Sequence, residues 1–134
     1  MFRFEELHVY QDALSYIDII YTVIKKWPQE VLFGLTNQLK RASTSIALNI
    51  AEETSRTSKD FCHFLDLARG SCYECVAIIT IAKHRNFFNE QNFQDLLELL
   101  EKISRKIKFV KTIITINDEQ RTMNYAYRTP WRLI

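Results

Sequence analysis

The sequence predicts an all-α protein, an antiparallel up-down four-helix bundle. Three observations predict it. Apolar residues recur at alternating steps of three and four in four separate stretches, which is the spacing of one helical face. Only two glycines and two prolines are present, so few tight turns can be built and long helices must carry most of the chain. The 134 residues, 47% of them hydrophobic, suit one domain with a real core.

The first helix is expected from about Phe4 to Trp27, where Pro28 pushes the preceding residue out of the helical region. It carries two apolar stripes: Leu7, Tyr10, Leu14, Ile17, Tyr21 and Ile24, and beside them Ala13, Tyr16, Ile20, Val23 and Trp27. The second helix is expected from about Leu32 to Glu53, on the stripe Leu35, Leu39, Ala42, Ile46 and Ile50. A polar row runs along it: Gln38, Arg41, Ser45, Asn49 and Glu52. Such a row either faces water or forms a hydrogen-bonded network in which each member needs a partner.

Residues 54–58 read as a loop, and Thr57 with Asp60 resembles a capping box that opens the third helix. That helix has the stripe Phe61, Leu65, Ala68, Cys72, Cys75, Val76, Ile79 and Ala82. A second one holds Phe64, Leu67, Ser71, Glu74, Ile78 and Ile81, and the end falls near His84–Asn86. Asn89 is the expected N-cap of the fourth helix, with Glu90 well placed against the helix dipole. Its stripe is Phe93, Leu96, Leu100, Ile103, Ile107, Val110 and Ile114. Four helices of about 20–28 residues span roughly 30–40 Å each, and short loops force neighbours antiparallel. One stripe per helix suffices for the core. The surplus on helices one and three points to wide burial or to contact with another subunit.

The chemistry-bearing residues point away from catalysis. Cys72 and Cys75 share a helix face, but a structural zinc site needs four ligands and a redox pair wants the turn before a helix. Core packing is the better reading of these cysteines. His8, His63 and His84 are scattered, without the spacing of a metal motif. Gly34 and Gly70 stand alone, so no phosphate-cradling loop exists. The expectation is no catalytic residue, no metal and no cofactor.

Charge is unevenly placed. The net charge is +2, yet residues 102–134 hold eight basic groups and two acids, +6, which leaves −4 for the first 101. Lys102, Arg105, Lys106, Lys108 and Lys111 form a basic row on helix four, expected to be exposed because it lies away from the apolar stripe. The row is either a solvated face or a contact for phosphates, which need clustered cations and no base code. Tyr125, Tyr127 and Trp131, interleaved with Arg121, Arg128 and Arg132, could stack on bases or dock as an apolar tail. The opening MFRFEELHVYQD lacks the apolar core of a signal peptide, and no apolar run reaches the roughly 18 residues of a membrane span. A cytoplasmic protein with reduced cysteines and no membrane contact is expected.

Helix two also carries a resemblance. Residues 33–42, FGLTNQLKRA, continue into Ser45-Ile46 and Asn49-Ile50-Ala51-Glu52. With Phe4-Glu5-Glu6-Leu7, Val9-Tyr10-Gln11, Gly70-Ser71 and Glu74, this is similar to the four helix bundle protein family, encoded in intervening sequences of bacterial large-subunit ribosomal RNA genes. The resemblance covers residues 4 to about 115. It leaves 117–134 as a C-terminal tail beside a 1–116 bundle. The same family includes the accessory variability determinant of diversity-generating retroelements. It implies a homopentamer with a basic surface, a binding or scaffolding role without catalysis, and nucleic acid and a reverse transcriptase as partners. Gln38, Arg41, Asn49, Glu52 and Glu74 are expected to form a structural polar network, with Arg41 and Glu74 as a buried pair, because these two match family positions and sit on seams where an unpaired charge is costly. Two positions depart from the pattern: Ala47 stands where the family usually has proline, and Glu53 where it has glycine. A straighter, longer second helix should follow.

Overall fold

The computed structural model describes residues 3–54 and 57–122. Four α-helices form the bundle: α1 (His8–Ile24), α2 (Asn37–Ala51), α3 (Ser58–His84) and α4 (Glu90–Thr122). Each packs on its neighbours in chain order, and α1 closes the circle against α4 over the smallest contact. No strand occurs among the described residues.

The helix ends have local causes. Leu7 is extended, so the chain before α1 is a separate 3-10 turn, Arg3–Glu6. Beyond Ile24 the bonds Lys26 N–H to Val23 O and Trp27 N–H to Ile24 O tighten the winding ahead of Pro28. The helical region expected over 4–27 is therefore an α-helix of 17 residues with tight turns on both sides. A π turn, Leu32–Thr36, leads into α2, and a 3-10 turn, Glu52–Thr54, leaves it. Helical winding thus spans the segment the sequence indicates, although only 15 residues are α.

Thr57 Oγ1 accepts the Asp60 N–H at 3.0 Å, and Asn89 Oδ1 accepts the Asn92 N–H at 2.8 Å, so both caps lie where the sequence places them. Between α3 and α4 the chain reverses at Asn86, which is left-handed at φ 61°. Its N–H bonds Lys83 O at 2.9 Å and the Phe87 N–H bonds Ala82 O at 3.0 Å, which satisfies the last carbonyls of α3. Asparagine tolerates this conformation better than most residues with a Cβ. Lys83 pairs with Glu90 across the turn. α4 runs on to Thr122, past the end of the resemblance, and Asn117–Thr122 contains no glycine or proline to break it. Its 33 residues make the helices unequal in length rather than matched.

The core follows the stripes. Every residue of the α4 stripe is buried, and so is every α3 stripe residue except the half-buried Val76. On α1 the two stripes are adjacent, and the buried face takes members of both. Ala13, Tyr16, Ile20 and Trp27 are buried, and so are Leu7 and Ile24 at the ends of the other stripe, whose middle members Leu14 and Tyr21 are 37% and 43% exposed. On α3, Leu67 and Ile81 are likewise exposed. These are the spare apolar surfaces that the double stripes foreshadow.

A few polar groups enter this core with partners. Tyr16 Oη and Ser43 Oγ are 3.1 Å apart, and Ser43 Oγ lies 3.5 Å from Cys75 Sγ, joining α1, α2 and α3. Trp27 stacks on Phe88 with ring centroids 5.8 Å apart and closes one end of the bundle.

Cys62, Cys72 and Cys75 are all free thiols. Burial, aided by the neighbouring Cys75, pushes the Cys72 thiol from 9.0 up to about 12. Burial also raises Cys75 and Tyr16. The unfolded chain loses these protons at lower pH than the folded one, so from about pH 9 the unfolded state binds fewer protons and stability falls as pH rises toward 12. Urea midpoints should therefore drop across that window, and Cys72→Ala should flatten the drop. A thiol reagent at neutral pH should label half-buried Cys62 first, and the other two only on unfolding.

Candidate nucleic-acid interface

The basic row of α4 divides in two. Lys102, Arg105 and Lys108 are exposed, as expected. Lys106 and Lys111 are half-buried, contrary to the expectation that the whole row faces water. The reason is a carboxylate beside each. Lys106 pairs with Asp12 of α1, and Lys111 donates to both oxygens of Asp66 on α3, at 2.8 and 2.9 Å. Lys102 lies 4.0 Å from Asp12, and Arg105 lies 4.0 Å from Glu101, one turn back. Exposed pairs of this kind are worth about 0–1 kcal/mol, so they leave Lys102 and Arg105 available to a better anion. Lys108 has no carboxylate partner among the described residues.

The polar row of α2 is also split. Asn49 donates to Ser45 Oγ at 3.0 Å and to Ser45 O at 2.8 Å, and Ser71 donates to Ser45 Oγ at 3.0 Å. This small network bridges α2 and α3. One turn along, Gln38, Arg41 and Glu74 are exposed and line a shallow groove of about 330 Å³ with Ala42 and Ser45. No ion pair joins Arg41 to Glu74, and Glu52 is exposed at the helix end. The buried charge pair expected here is thus replaced by a serine–asparagine cluster. Arg41 and Glu74 can share a groove without meeting because both reach into water, where nothing obliges them to pair.

Two features escaped the sequence. Asp12 and Asp66 stand beside α4 only through interhelical register, for which no local signal exists. Arg69 and Tyr73 do carry one, the i,i+4 spacing. The Arg69 guanidinium lies 2.9 Å from the Tyr73 hydroxyl and 3.4 Å from Ser104 Oγ of α4. Among the described residues no group of three or more His, Cys, Asp or Glu is placed to hold a metal ion. No helix there is long and apolar enough to cross a membrane. The aromatic–arginine stretch from Tyr125 to Arg132, and the side chain of Arg121, lie outside the described residues.

A comparison with curated proteins found no match. The family model described as 23S rRNA-intervening sequence protein matches residues 5–109, from the turn before α1 to the exposed cations of α4. Four helices in chain order, no strand among the described residues, and this match over most of the chain agree: the protein belongs to the 23S rRNA-intervening sequence protein family.

Proposed function

We propose that this protein is a non-catalytic, cytoplasmic, oligomeric accessory protein that binds nucleic acid, RNA or DNA, through the exposed cations of α4. The observation that carries the reading is the family match, whose name ties the chain to 23S rRNA, ending on a helix with Lys102, Arg105 and Lys108 exposed. Phosphates need no more than such cations for sequence-tolerant binding. The oligomer, a homopentamer by resemblance, is supported by the exposed Leu14, Tyr21, Leu67 and Ile81. Repeating three cations around a ring multiplies weak contacts into useful avidity. A reverse transcriptase is a further partner by the same resemblance.

A second reading is a protein-interaction scaffold. The acids Asp12, Asp66 and Glu101 favour it, because they neutralise part of the row. A salt titration separates the two readings. Binding of labelled RNA should weaken linearly in log K against log salt, with a slope of about −0.7 to −0.9 per phosphate contact. No binding at low salt removes the nucleic-acid reading. A monomeric mass by light scattering removes the oligomer.

A further inference from the structure

Tyr73 is 58% exposed in the middle of α3, yet its position is fixed. Arg69, one turn back, donates to the Tyr73 hydroxyl at 2.9 Å, and its Nε reaches Ser104 Oγ on α4 at 3.4 Å. The guanidinium carbon is 5.8 Å from the ring centroid. With a nitrogen so close to the hydroxyl, that distance puts the guanidinium out beyond the oxygen, at the edge of the ring. The aromatic faces are not covered by it. An exposed aromatic side chain is thus held by two helices and presented to solvent.

The helix beside it is bare. Gly70 lies three residues back, on the side toward which a helical side chain leans, and Ala77 lies one turn ahead. A Cβ added at Gly70 would meet nothing within 4 Å. Glycine inside a helix is less stable than alanine, and no neighbouring atom in the fold requires it here. The surface over Gly70 is therefore open to anything that approaches from solvent. Two exposed cations of α4 continue the strip: Arg105 follows Ser104 directly and is only loosely paired with Glu101 at 4.0 Å, and Lys108 lies one turn beyond Ser104.

We infer that Tyr73 is a stacking platform for an unpaired base of a single-stranded nucleic acid, which lies over Gly70 while its phosphates run toward Arg105 and Lys108. The inference rests on the nucleic-acid reading above and specifies its ligand. A base inside a duplex has no face to offer, whereas a single strand can place any base on an aromatic ring. The Arg69 clamp orders the ring before binding, which lowers the entropy lost on association.

The test compares a short unstructured RNA strand with its duplex by fluorescence anisotropy at low salt, using the full chain. The parent should bind the single strand more tightly. Tyr73→Ala should weaken single-strand binding about tenfold and leave duplex binding within about twofold. Tyr73→Phe should keep most of the affinity, because the ring remains. Gly70→Leu should weaken single-strand binding too, without lowering the melting temperature, since the space is empty. If the parent binds both nucleic acids and Tyr73→Ala changes neither, the platform is refuted while the nucleic-acid reading stands. If the parent binds neither, both fail. If Tyr73→Ala or Gly70→Leu instead changes the mass in light scattering, the face belongs to another copy of the chain and the inference is overturned.

Discussion

Replacing Lys102, Arg105 and Lys108 together with glutamine is expected to weaken nucleic-acid binding on the order of a hundredfold at low salt and to flatten its salt dependence by about three contacts. These three side chains are exposed, and none of them is half-buried against a carboxylate as Lys106 and Lys111 are. The substitutions should therefore leave the fold within about 0.5 kcal/mol per site. Lys111 is left in place deliberately, because its removal would strand Asp66 and confuse a binding loss with a packing loss. In an oligomer the loss repeats in every subunit, so the effect should exceed that of the same change in a monomer. Anisotropy against salt, with circular dichroism as the control for folding, reads both quantities. An unchanged affinity would leave only the scaffold reading.

The largest stability effect is expected at Tyr16. Its side chain is fully buried, one of the biggest in the core, and its hydroxyl meets Ser43 at 3.1 Å. Tyr16→Ala should cost about 3–5 kcal/mol through lost burial and the cavity left behind. A domain of this size has about 5–15 kcal/mol in all, so the melting temperature should fall by roughly 10–20 °C. Tyr16→Phe separates the two contributions. It keeps the ring and leaves Ser43 with Cys75 at 3.5 Å, so about 1 kcal/mol should be lost. Denaturant melts of the two variants check this. Similar losses in both would mean that the hydroxyl, and not the ring, carries the effect.

Much of this fold can be read from residue spacing because helical burial is periodic. The α4 stripe from Phe93 to Ile114 leaves no ambiguity: each member returns to the same face, and each is buried. Caps are legible for a similar reason, since Thr57 and Asn89 act on N–H groups three residues away. On α1 the periodicity alone could not decide. Two stripes fit equally well, and only the position of α2 and α4 turned Tyr16 inward and left Tyr21 outside, with Lys40 over its ring. The candidate site was legible to the same depth. That Lys102, Arg105 and Lys108 face water follows from their distance to the stripe. That Lys106 and Lys111 do not follows from Asp12 and Asp66, which lie 94 and 45 residues away along the chain. Arg41 and Glu74 show the converse error: a shared groove can be inferred from register, but whether two exposed charges touch cannot.

The left-handed turn at Asn86 bears on how the bundle assembles. It closes α3 onto α4 across only the five residues between His84 and Glu90, so bringing those two long helices together costs little loop entropy. Their contacts are local in sequence and extensive, whereas α1 must find α4 across most of the chain for the smallest contact in the bundle. Rates of folding favour near contacts over distant ones. The α3–α4 hairpin is thus cheap to close, and it carries Arg69, Tyr73, Ser104 and Lys108 together. The surface argued to meet nucleic acid is built on one continuous hairpin of the chain, while α1 reaches α4 only across most of the sequence.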